Sequence, residues 1–321
     1  MLTDVPGIRV GHWTDADVGT GCTAIILPPG SRGGVDVRGG GPASRETELL
    51  RPEATVPVVT AITLSGGSAF GLDAASGVMH WCEEQGLGVD TGIAVVPIVP
   101  AACIFDLGIT GNQRRPGAAE GRLAAEAATD GPFAVGSVGA GTGATVGKVH
   151  GRDHWHKGGL GTASVRLPSG ATVAALTVVN AFGDVLDEQG NVLAGAGTAT
   201  GGQVDHASKA LLEGTAQHDR VQDVSNTTLC VVATDADLDK AACTHLARQA
   251  HAGLSRAISP YGTAIDGDLA FAVSTGRIEA NPIPVGNAAA EVAAAAARNA
   301  IRSAVTIRGV PGLAGVGRAT G

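Results

Sequence analysis

The chain of 321 residues is long enough for one large domain or two smaller ones, and its 44% of hydrophobic residues can fill a sizeable core. Its formal net charge of −8 would repel phosphate backbones, which excludes nucleic acid as an expected partner. We find no signal-peptide pattern at the N-terminus, and the longest apolar run, 92–105, is too short for a bilayer, so we expect a cytoplasmic protein that does not bind membranes.

Apolar runs rich in β-branched residues, several of them bounded by Gly or Pro, predict strands. In chain order these are residues 22–27, 58–64, 93–104, 162–167, 172–180, 229–234 and 269–273. Apolar side chains at helical spacing predict helices over 68–84, 118–128, 237–257 and 287–304, the third capped by Asp235 or Asp237, and small residues predict a loop over 193–202. No repeat or linker divides the chain, so we expect a single domain, 1–321, with helices layered on sheets.

The cysteines and two cofactor-like patterns point away from disulfides, metals and nucleotides. Five cysteines without a CxxC pair favour reduced, buried thiols. Residues 139–144 (GAGTGA) match a dinucleotide fingerprint, yet neither a helix nor the required acidic residue about twenty positions later follows. The spacing of His150, Asp153, His154 and His156 fits no zinc signature. We therefore expect neither a metal nor a cofactor.

A glycine turn joins the strand predicted at 58–64 to the helix predicted at 68–84. Ser68, after Gly66 and Gly67, resembles a nucleophile elbow, but the GxSxG pattern and the partners of a triad are missing. We expect the glycines to allow the first turn of the helix to pack closely against neighbouring backbone. We also expect the backbone amides of Gly66, Gly67 and Ser68 to face a substrate pocket.

A polar loop over 214–226 runs into Thr227 and Thr228 at the start of an apolar strand. If the Asn226–Thr227 bond were cut, the new α-amino group of Thr227, with an ordinary pKa of about 7.7–8.0, would lie beside its own hydroxyl as a base. That arrangement activates a hydroxyl, which is otherwise a weak nucleophile. An ordinary strand that begins with two threonines is the alternative, because threonine favours strands.

Four further side chains are candidates for the same chemistry. Asp266 and Asp268 flank a glycine before the strand at 269–273, where they could orient a base or shift each other's pKa, although Asp-Gly-Asp is also common in turns. Lys148, in Gly-rich apolar surroundings, could transfer protons if it is partly buried, or lie on an edge strand at the surface. Asn180 ends the strand at 172–180, where its amide could donate to an oxyanion or cap a turn.

Taken together, these motifs resemble one peptidase family, the L-aminopeptidase/D-esterase family, which includes β-peptidyl aminopeptidases and the nylon-oligomer hydrolase. The resemblance covers nearly the whole chain. It is carried by residues 5–12 (VPGIRVGH), 35–40 (VDVRGG), 64–72 (LSGGSAFGL), 147–149 (GKV), 226–228 (NTT) and 266–268 (DGD).

The resemblance implies an α+β fold, an αββα sandwich like that of N-terminal-nucleophile hydrolases, with the connectivity of ornithine acetyltransferases. Self-cleavage between Asn226 and Thr227 would leave an α chain, 1–226, and a β chain, 227–321, and four such αβ units would assemble into a homotetramer. The implied activity is hydrolysis of small peptides, β-peptides or amides through an acyl-enzyme on Thr227.

The resemblance also assigns roles to the site residues. Lys148 would assist the nucleophile Thr227, Asn180 would stabilise the oxyanion, and Asp266 and Asp268 would orient the nucleophile or its amine.

The chain departs from the family pattern at one position. Phe105 stands where characterised members often carry a tyrosine near the active site, so a phenol that could donate a hydrogen bond to a substrate is missing. An acyltransferase of the ornithine-acetyltransferase type and an inactive binding protein on the same scaffold remain as alternatives.

Overall fold

The computed structural model of the chain describes residues 1–111, 113–197, 206–217 and 226–315. The described strands are β1 (Arg9–Asp15), β2 (Thr20–Ile26), β3 (Arg32–Val37), β4 (Ala43–Arg45), β5 (Ala61–Ser65), β6 (Val89–Asp90), β7 (Val95–Val96), β8 (Ala101–Cys103), β9 (Thr145–Val146), β10 (His156–Lys157), β11 (Gly159–Arg166), β12 (Thr172–Asn180), β13 (Asp184–Leu186), β14 (Val192–Ala194), β15 (Thr227–Ala236), β16 (Ile258–Ser259) and β17 (Leu269–Ile278). The helices are α1 (Ala74–Glu84), α2 (Leu107–Thr110), α3 (Ala118–Glu126), α4 (Ala207–Glu213), α5 (Lys240–Ala257) and α6 (Pro282–Arg302). Short 3₁₀ helices cover Leu2–Asp4, Thr47–Leu50, Ser68–Asp73, Gly139–Gly141 and Arg152–His154.

Two five-stranded sheets form the centre of the molecule. The first has the strand order β1-β2-β5-β8-β4, and the second has the order β11-β12-β15-β17-β3. Neighbouring strands are antiparallel except for the parallel pairs β5–β8 and β15–β17. In the second sheet β15, which begins after residue 226, lies between β12 and β17. The chain on both sides of the Asn226–Thr227 bond therefore contributes to one sheet.

Three apolar cores separate four layers. Side chains of the first sheet, such as Ala24, pack against α1 and α3, for example against the core residue Val78 of α1. The facing sides of the two sheets enclose a second core, which includes Ile62 and Leu176. The outer side of the second sheet packs against α5 and α6. The layer order is thus α, β, β, α, as the family resemblance implied.

The strand β15 shows how the sequence produces this packing. All ten of its residues are buried, since helices cover one face and the other sheet covers the opposite face. Successive side chains of a strand point to opposite faces. Accordingly Cys230 and Val232 enter the core beneath α5 and α6, whereas Leu229 and Val231 enter the core between the sheets.

Most predicted elements are present, with corrections at their ends. The predicted strand 93–104 is two short strands, β7 and β8, because Pro97 and Pro100 interrupt the run. The predicted helix 68–84 is a 3₁₀ segment followed by α1, and β14 occupies part of the predicted loop 193–202, of which 198–202 lie outside the described residues. Asp239, rather than Asp235 or Asp237, caps α5 by accepting a hydrogen bond from the Ala242 amide.

The cysteines behave as expected, since all five are free and buried. None of the helices in the described residues is long and apolar enough to cross a membrane.

The helices α5 and α6 cross at a glycine. A Cβ atom added at Gly253 of α5 would lie 1.9 Å from the carbonyl oxygen of Ala290 in α6, so only a residue without a side chain permits this crossing. Gly286 of α6 has ordinary space around it, because its nearest neighbour would be the Gln249 side chain at 3.4 Å.

These two helical glycines form a matched pair for a stability measurement. We expect Gly253→Ala to lower the free energy of unfolding by about 1–3 kcal/mol, since the added methyl group forces the helices apart. Gly286→Ala should raise it by roughly 0.5–1 kcal/mol, because alanine has the higher helix propensity and meets no backbone there. Urea unfolding of both variants measures the two effects. Equal destabilisation by both would contradict the close crossing at Gly253.

Candidate active site

The Asn226–Thr227 bond lies at the start of β15, the middle strand of the second sheet. Thr227 is the first residue of β15 and is in register with Asn180, the last residue of β12. On the other side, Asn226 forms a parallel bridge with Asp266, just before β17 begins. Pairing on both sides fixes the junction, and both of its residues are buried.

The Thr227 hydroxyl lies against the carbonyl group of the preceding residue. Its Oγ1 donates a hydrogen bond to the carbonyl oxygen of Asn226 at 2.5 Å. The same oxygen accepts a hydrogen bond from the Gly267 amide at 2.8 Å. A hydroxyl nucleophile and a polarised peptide carbonyl are therefore in contact within the uncut chain.

Two buried carboxylates lie beside the junction. Asp268 accepts hydrogen bonds from the amides of Thr228, at 2.5 Å, and Gly262, at 3.0 Å. Asp266 accepts from the amide and the hydroxyl of Thr263. Burial raises the pKa of both carboxyl groups, and the proximity of Asp266 raises the pKa of Asp268 further. The pair thus favours a neighbouring positive charge.

Lys148 supplies that charge from the turn after β9. Its Nζ donates to the side-chain oxygen of Asn180 at 3.0 Å and to the backbone oxygen of Asn180 at 3.2 Å. Burial lowers the pKa of Lys148 to about 7, although the Asp266 and Asp268 carboxylates act in the opposite direction. A lysine with this pKa exchanges its proton near neutral pH, as a catalytic base must.

Asn180 is held by contacts on both ends of its side-chain amide. Oδ1 accepts hydrogen bonds from the Thr145 amide, at 2.9 Å, and from Lys148. Nδ2 donates to the backbone oxygen of Phe105 at 3.1 Å. These partners therefore fix the positions of Oδ1 and Nδ2 of the side-chain amide. Through its two ends the amide connects Lys148 to the segment around Phe105.

A narrow cleft beside Lys148, too tight to hold a water molecule, gives Phe105 its place in the site. Its lining consists of Phe105, Asp106, Gly108, Ile109, Gly143, Thr145, Lys148 and Trp155. The indole Nε1 of Trp155 is buried and has no hydrogen-bond partner among the described residues. The lining of the cleft thus combines aromatic side chains with the charged groups of Asp106 and Lys148.

The glycine turn at 66–68 is organised differently from the expectation. The amide of Gly66 donates to Gly21, that of Gly67 to Asp106, and that of Ser68 to Ile104. All three N–H groups are therefore used within the protein. A role of Gly66, Gly67 and Ser68 in substrate binding stays a prediction, and it would have to involve atoms other than these amides.

A second buried pair of charges, Asp106 and Lys157, supports this turn and was missed in the sequence. Asp106 accepts hydrogen bonds from the Thr20 hydroxyl, at 2.6 Å, and from the Gly67 amide. Lys157 donates to the carbonyls of Thr142 and Ala144. Burial raises the pKa of Asp106 to about 6 and lowers that of Lys157 to about 7. For Asp106 the available signal in the sequence was its position at the end of an apolar run. Nothing in the sequence near Lys157 indicated that this side chain is buried.

The side chains of the histidine-rich segment do not form a metal site. His156 is buried in β10, whereas Asp153 is exposed and His150 and His154 are half-buried. In the parts of the chain that the structure describes, no group of three His, Cys, Asp or Glu side chains could hold a metal ion. The absence of a cofactor stays a prediction.

The structure therefore gathers the five residues proposed as catalytic, Thr227, Lys148, Asn180, Asp266 and Asp268, around one peptide bond. Chemically, the arrangement combines a hydroxyl nucleophile, an amine of lowered pKa, and hydrogen-bond donors beside a carbonyl oxygen. These are the groups that acyl transfer to a hydroxyl requires.

Comparison with known proteins gives one family for the whole chain. The model of peptidase family S58 matches residues 1–314. An uncharacterized aminopeptidase of Mycobacterium leprae is 42% identical, over 98% of this chain and 93% of its own length. A 6-aminohexanoate-oligomer endohydrolase of Agromyces sp. is 33% identical, over 88% of this chain and 76% of its own length.

A solved structure supports the fold. The L-aminopeptidase D-Ala-esterase/amidase of Ochrobactrum anthropi, described as a variant of the Ntn hydrolase fold, matches with a TM-score of 0.68. The match covers 94% of this chain and 86% of that chain at 20% identity. The αββα layers of this chain are thus a variant of the fold of N-terminal-nucleophile hydrolases.

The geometry of Asp268 generates a stability prediction. Both carboxylate oxygens accept backbone N–H groups, and an asparagine can accept only one, because its NH₂ group would face the other donor. We expect Asp268→Asn to lower the free energy of unfolding by about 1–3 kcal/mol, the cost of a buried unsatisfied N–H. Asp17→Asn, at an exposed side chain, is the control and should change it by less than about 0.5 kcal/mol. Thermal unfolding of both variants measures the two effects. Equal unfolding midpoints would contradict the assignment of two backbone hydrogen bonds to the Asp268 carboxylate.

Proposed function

The chain belongs to peptidase family S58, and we propose that it is a self-cleaving amide hydrolase whose nucleophile is Thr227. Family membership and the names of the relatives support hydrolysis of peptide or amide bonds. The observation that carries the finer proposal is the contact between the Thr227 hydroxyl and the Asn226 carbonyl. Asp268 accepts a hydrogen bond from the next amide, that of Thr228. Lys148 donates to Asn180, the residue paired with Thr227.

The first stage is maturation of the chain itself. The Thr227 hydroxyl gives up its proton, and Oγ1 bonds to the carbonyl carbon of Asn226. The C–N bond then breaks, the Thr227 nitrogen takes a proton, and the acyl group of Asn226 remains as an ester on Oγ1. Hydrolysis of this ester by water leaves chains 1–226 and 227–321.

Lys148 is the base that we propose for this stage, because the amine of Thr227 is still part of a peptide bond. Its lowered pKa leaves a substantial neutral fraction at pH 7. Asp266 and Asp268 stabilise the lysine cation formed after proton uptake. Lys148 then returns the proton to the departing nitrogen of Thr227.

The second stage is turnover of a substrate. The freed α-amine of Thr227 accepts the hydroxyl proton while Oγ1 attacks the substrate amide. The substrate's amine leaves with a proton, and water hydrolyses the acyl-enzyme. Asn180 serves as the donor to the oxyanion, and the buried carboxylates hold the new ammonium group near the hydroxyl.

The proposed substrates are small amides, short peptides or β-peptides. Membership of a peptidase family and the aminopeptidase names of several relatives support this class of substrates. The relative from Agromyces sp. is named a 6-aminohexanoate-oligomer endohydrolase. A homotetramer of cleaved units is the proposed assembly.

Replacing the nucleophile tests the proposal directly. Freshly purified wild-type protein should show two masses under denaturing conditions, for fragments that end at Asn226 and begin at Thr227. Thr227→Ala should show one full-length mass and no amidase activity, because the attacking oxygen is gone. The control Thr228→Ala should cleave, since its side chain is not the nucleophile. Cleavage of Thr227→Ala at the same bond would refute Thr227 as the nucleophile.

The state of Lys148 predicts a pH dependence of self-cleavage. Because the pKa of Lys148 is lowered to about 7, its neutral form is scarce below that pH and predominates above it. The cleavage rate should rise about tenfold per pH unit below pH 7 and level off above it. A time course of pulse-labelled precursor between pH 5 and 9 measures this. In Lys148→Met the remaining self-cleavage should be slow. If the pH profile of this variant kept the inflection of the wild-type profile, Lys148 would be excluded as the base.

A further inference from the structure

The carbonyl oxygen of Asn226 has a second hydrogen-bond donor that the mechanism above does not use. The amide of Gly267 lies 2.8 Å from this oxygen, on the side of the junction formed by the bridge between Asn226 and Asp266. Oxyanion donors act at about 2.7–3.1 Å from the position that the oxyanion takes. In the uncut chain this amide already donates to the oxygen on which the negative charge would develop.

The peptide unit that carries this N–H group is held at both ends. Its carbonyl, that of Asp266, accepts a hydrogen bond from the Gly41 amide at 2.9 Å, while its N–H donates to Asn226. The side chain on each side of Gly267 is also anchored, Asp266 by Thr263 and Asp268 by Thr228. The dipole is therefore oriented before any negative charge develops on the oxygen.

Space around the junction explains why the residue between the two acids is glycine. A Cβ atom at position 267 would lie 2.6 Å from Oγ1 of Thr227 and 2.9 Å from the carbonyl oxygen of Gly41. The backbone at Gly267 has no positive φ, so conformational freedom is not the reason. The missing side chain lets this amide approach the nucleophile and the carbonyl together.

We propose that the Gly267 amide is a catalytic oxyanion donor in self-cleavage, an inference that rests on the proposed function of Thr227. When Oγ1 bonds to the carbonyl carbon of Asn226, the π electrons of the C=O bond move to its oxygen. The Gly267 N–H stabilises the resulting oxyanion. The electrons return to re-form the C=O bond as the bond to the Thr227 nitrogen breaks.

The test replaces one N–H group by oxygen. Full-length protein is made by cell-free translation with glycolic acid in place of Gly267, which turns the 266–267 amide into an ester without adding a side chain. The matched control places glycolic acid at Gly136, whose buried amide donates to the carbonyl of Leu160 in another isolated β-bridge. Resistance to limited proteolysis verifies folding, and denaturing gels follow the fraction cleaved with time.

We expect the ester at 267 to slow self-cleavage by at least about 100-fold, as the loss of one oxyanion donor does, and the ester at 136 to cleave at the wild-type rate. A rate within about threefold of wild type for a folded 267 ester would overturn the inference. Equal slowing by both esters would also overturn it, because loss of any bridge hydrogen bond would then suffice. If the wild-type chain itself stays uncut, the proposed function fails, and the inference fails with it.

Discussion

The site depends on one electrostatic constraint, which is that buried charges must compensate one another. Lys148, Asp266 and Asp268 lie out of water, where an isolated charge would be expensive. Together they satisfy one another: the lysine faces two carboxylates, and backbone amides supply the hydrogen bonds that the carboxylates need. Burial lowers the pKa of the amine to about 7 and raises the pKa values of both acids, so the proton affinities of amine and acids approach one another. The features that make the cluster costly to bury thus also make it reactive.

Sheet pairing brings this cluster together, and the sequence predicted the parts better than their arrangement. The strand at 172–180 and the threonines before the strand at 229–234 were visible as apolar runs with polar ends. Placing Asn180 opposite Thr227 requires the strand order β12-β15-β17, and no local pattern encodes strand order. The family resemblance supplied what periodicity could not, since it joined distant motifs into one site. The strands β1 and β3 escaped prediction because charged, polar and glycine residues interrupt their apolar pattern.

The contacts that the sequence did not predict are mostly backbone contacts. The amides of Gly66 and Gly67 were expected to face a pocket, yet they bond to Gly21 and Asp106, because Asp106 returns to this turn from a distant part of the chain. In the sequence Gly267 was only the residue between two acids, whereas the structure shows that its missing side chain permits a close approach to Thr227 and Gly41. Such roles depend on the position of a neighbouring segment. A single sequence records only that a glycine is present.

The departure at Phe105 affects less of the site than the resemblance suggested. The backbone oxygen at this position, not the side chain, accepts the hydrogen bond that orients the Asn180 amide. Any residue at 105 with the same backbone path would supply that acceptor. The missing phenol therefore leaves the contact between Asn180 and Lys148 unchanged. The indole N–H of Trp155, which lines the same cleft as Phe105, is buried and has no hydrogen-bond partner among the described residues. The absence of a tyrosine at position 105 thus changes the surroundings of this indole, whereas the hydrogen bonds of Asn180 do not depend on the side chain at that position.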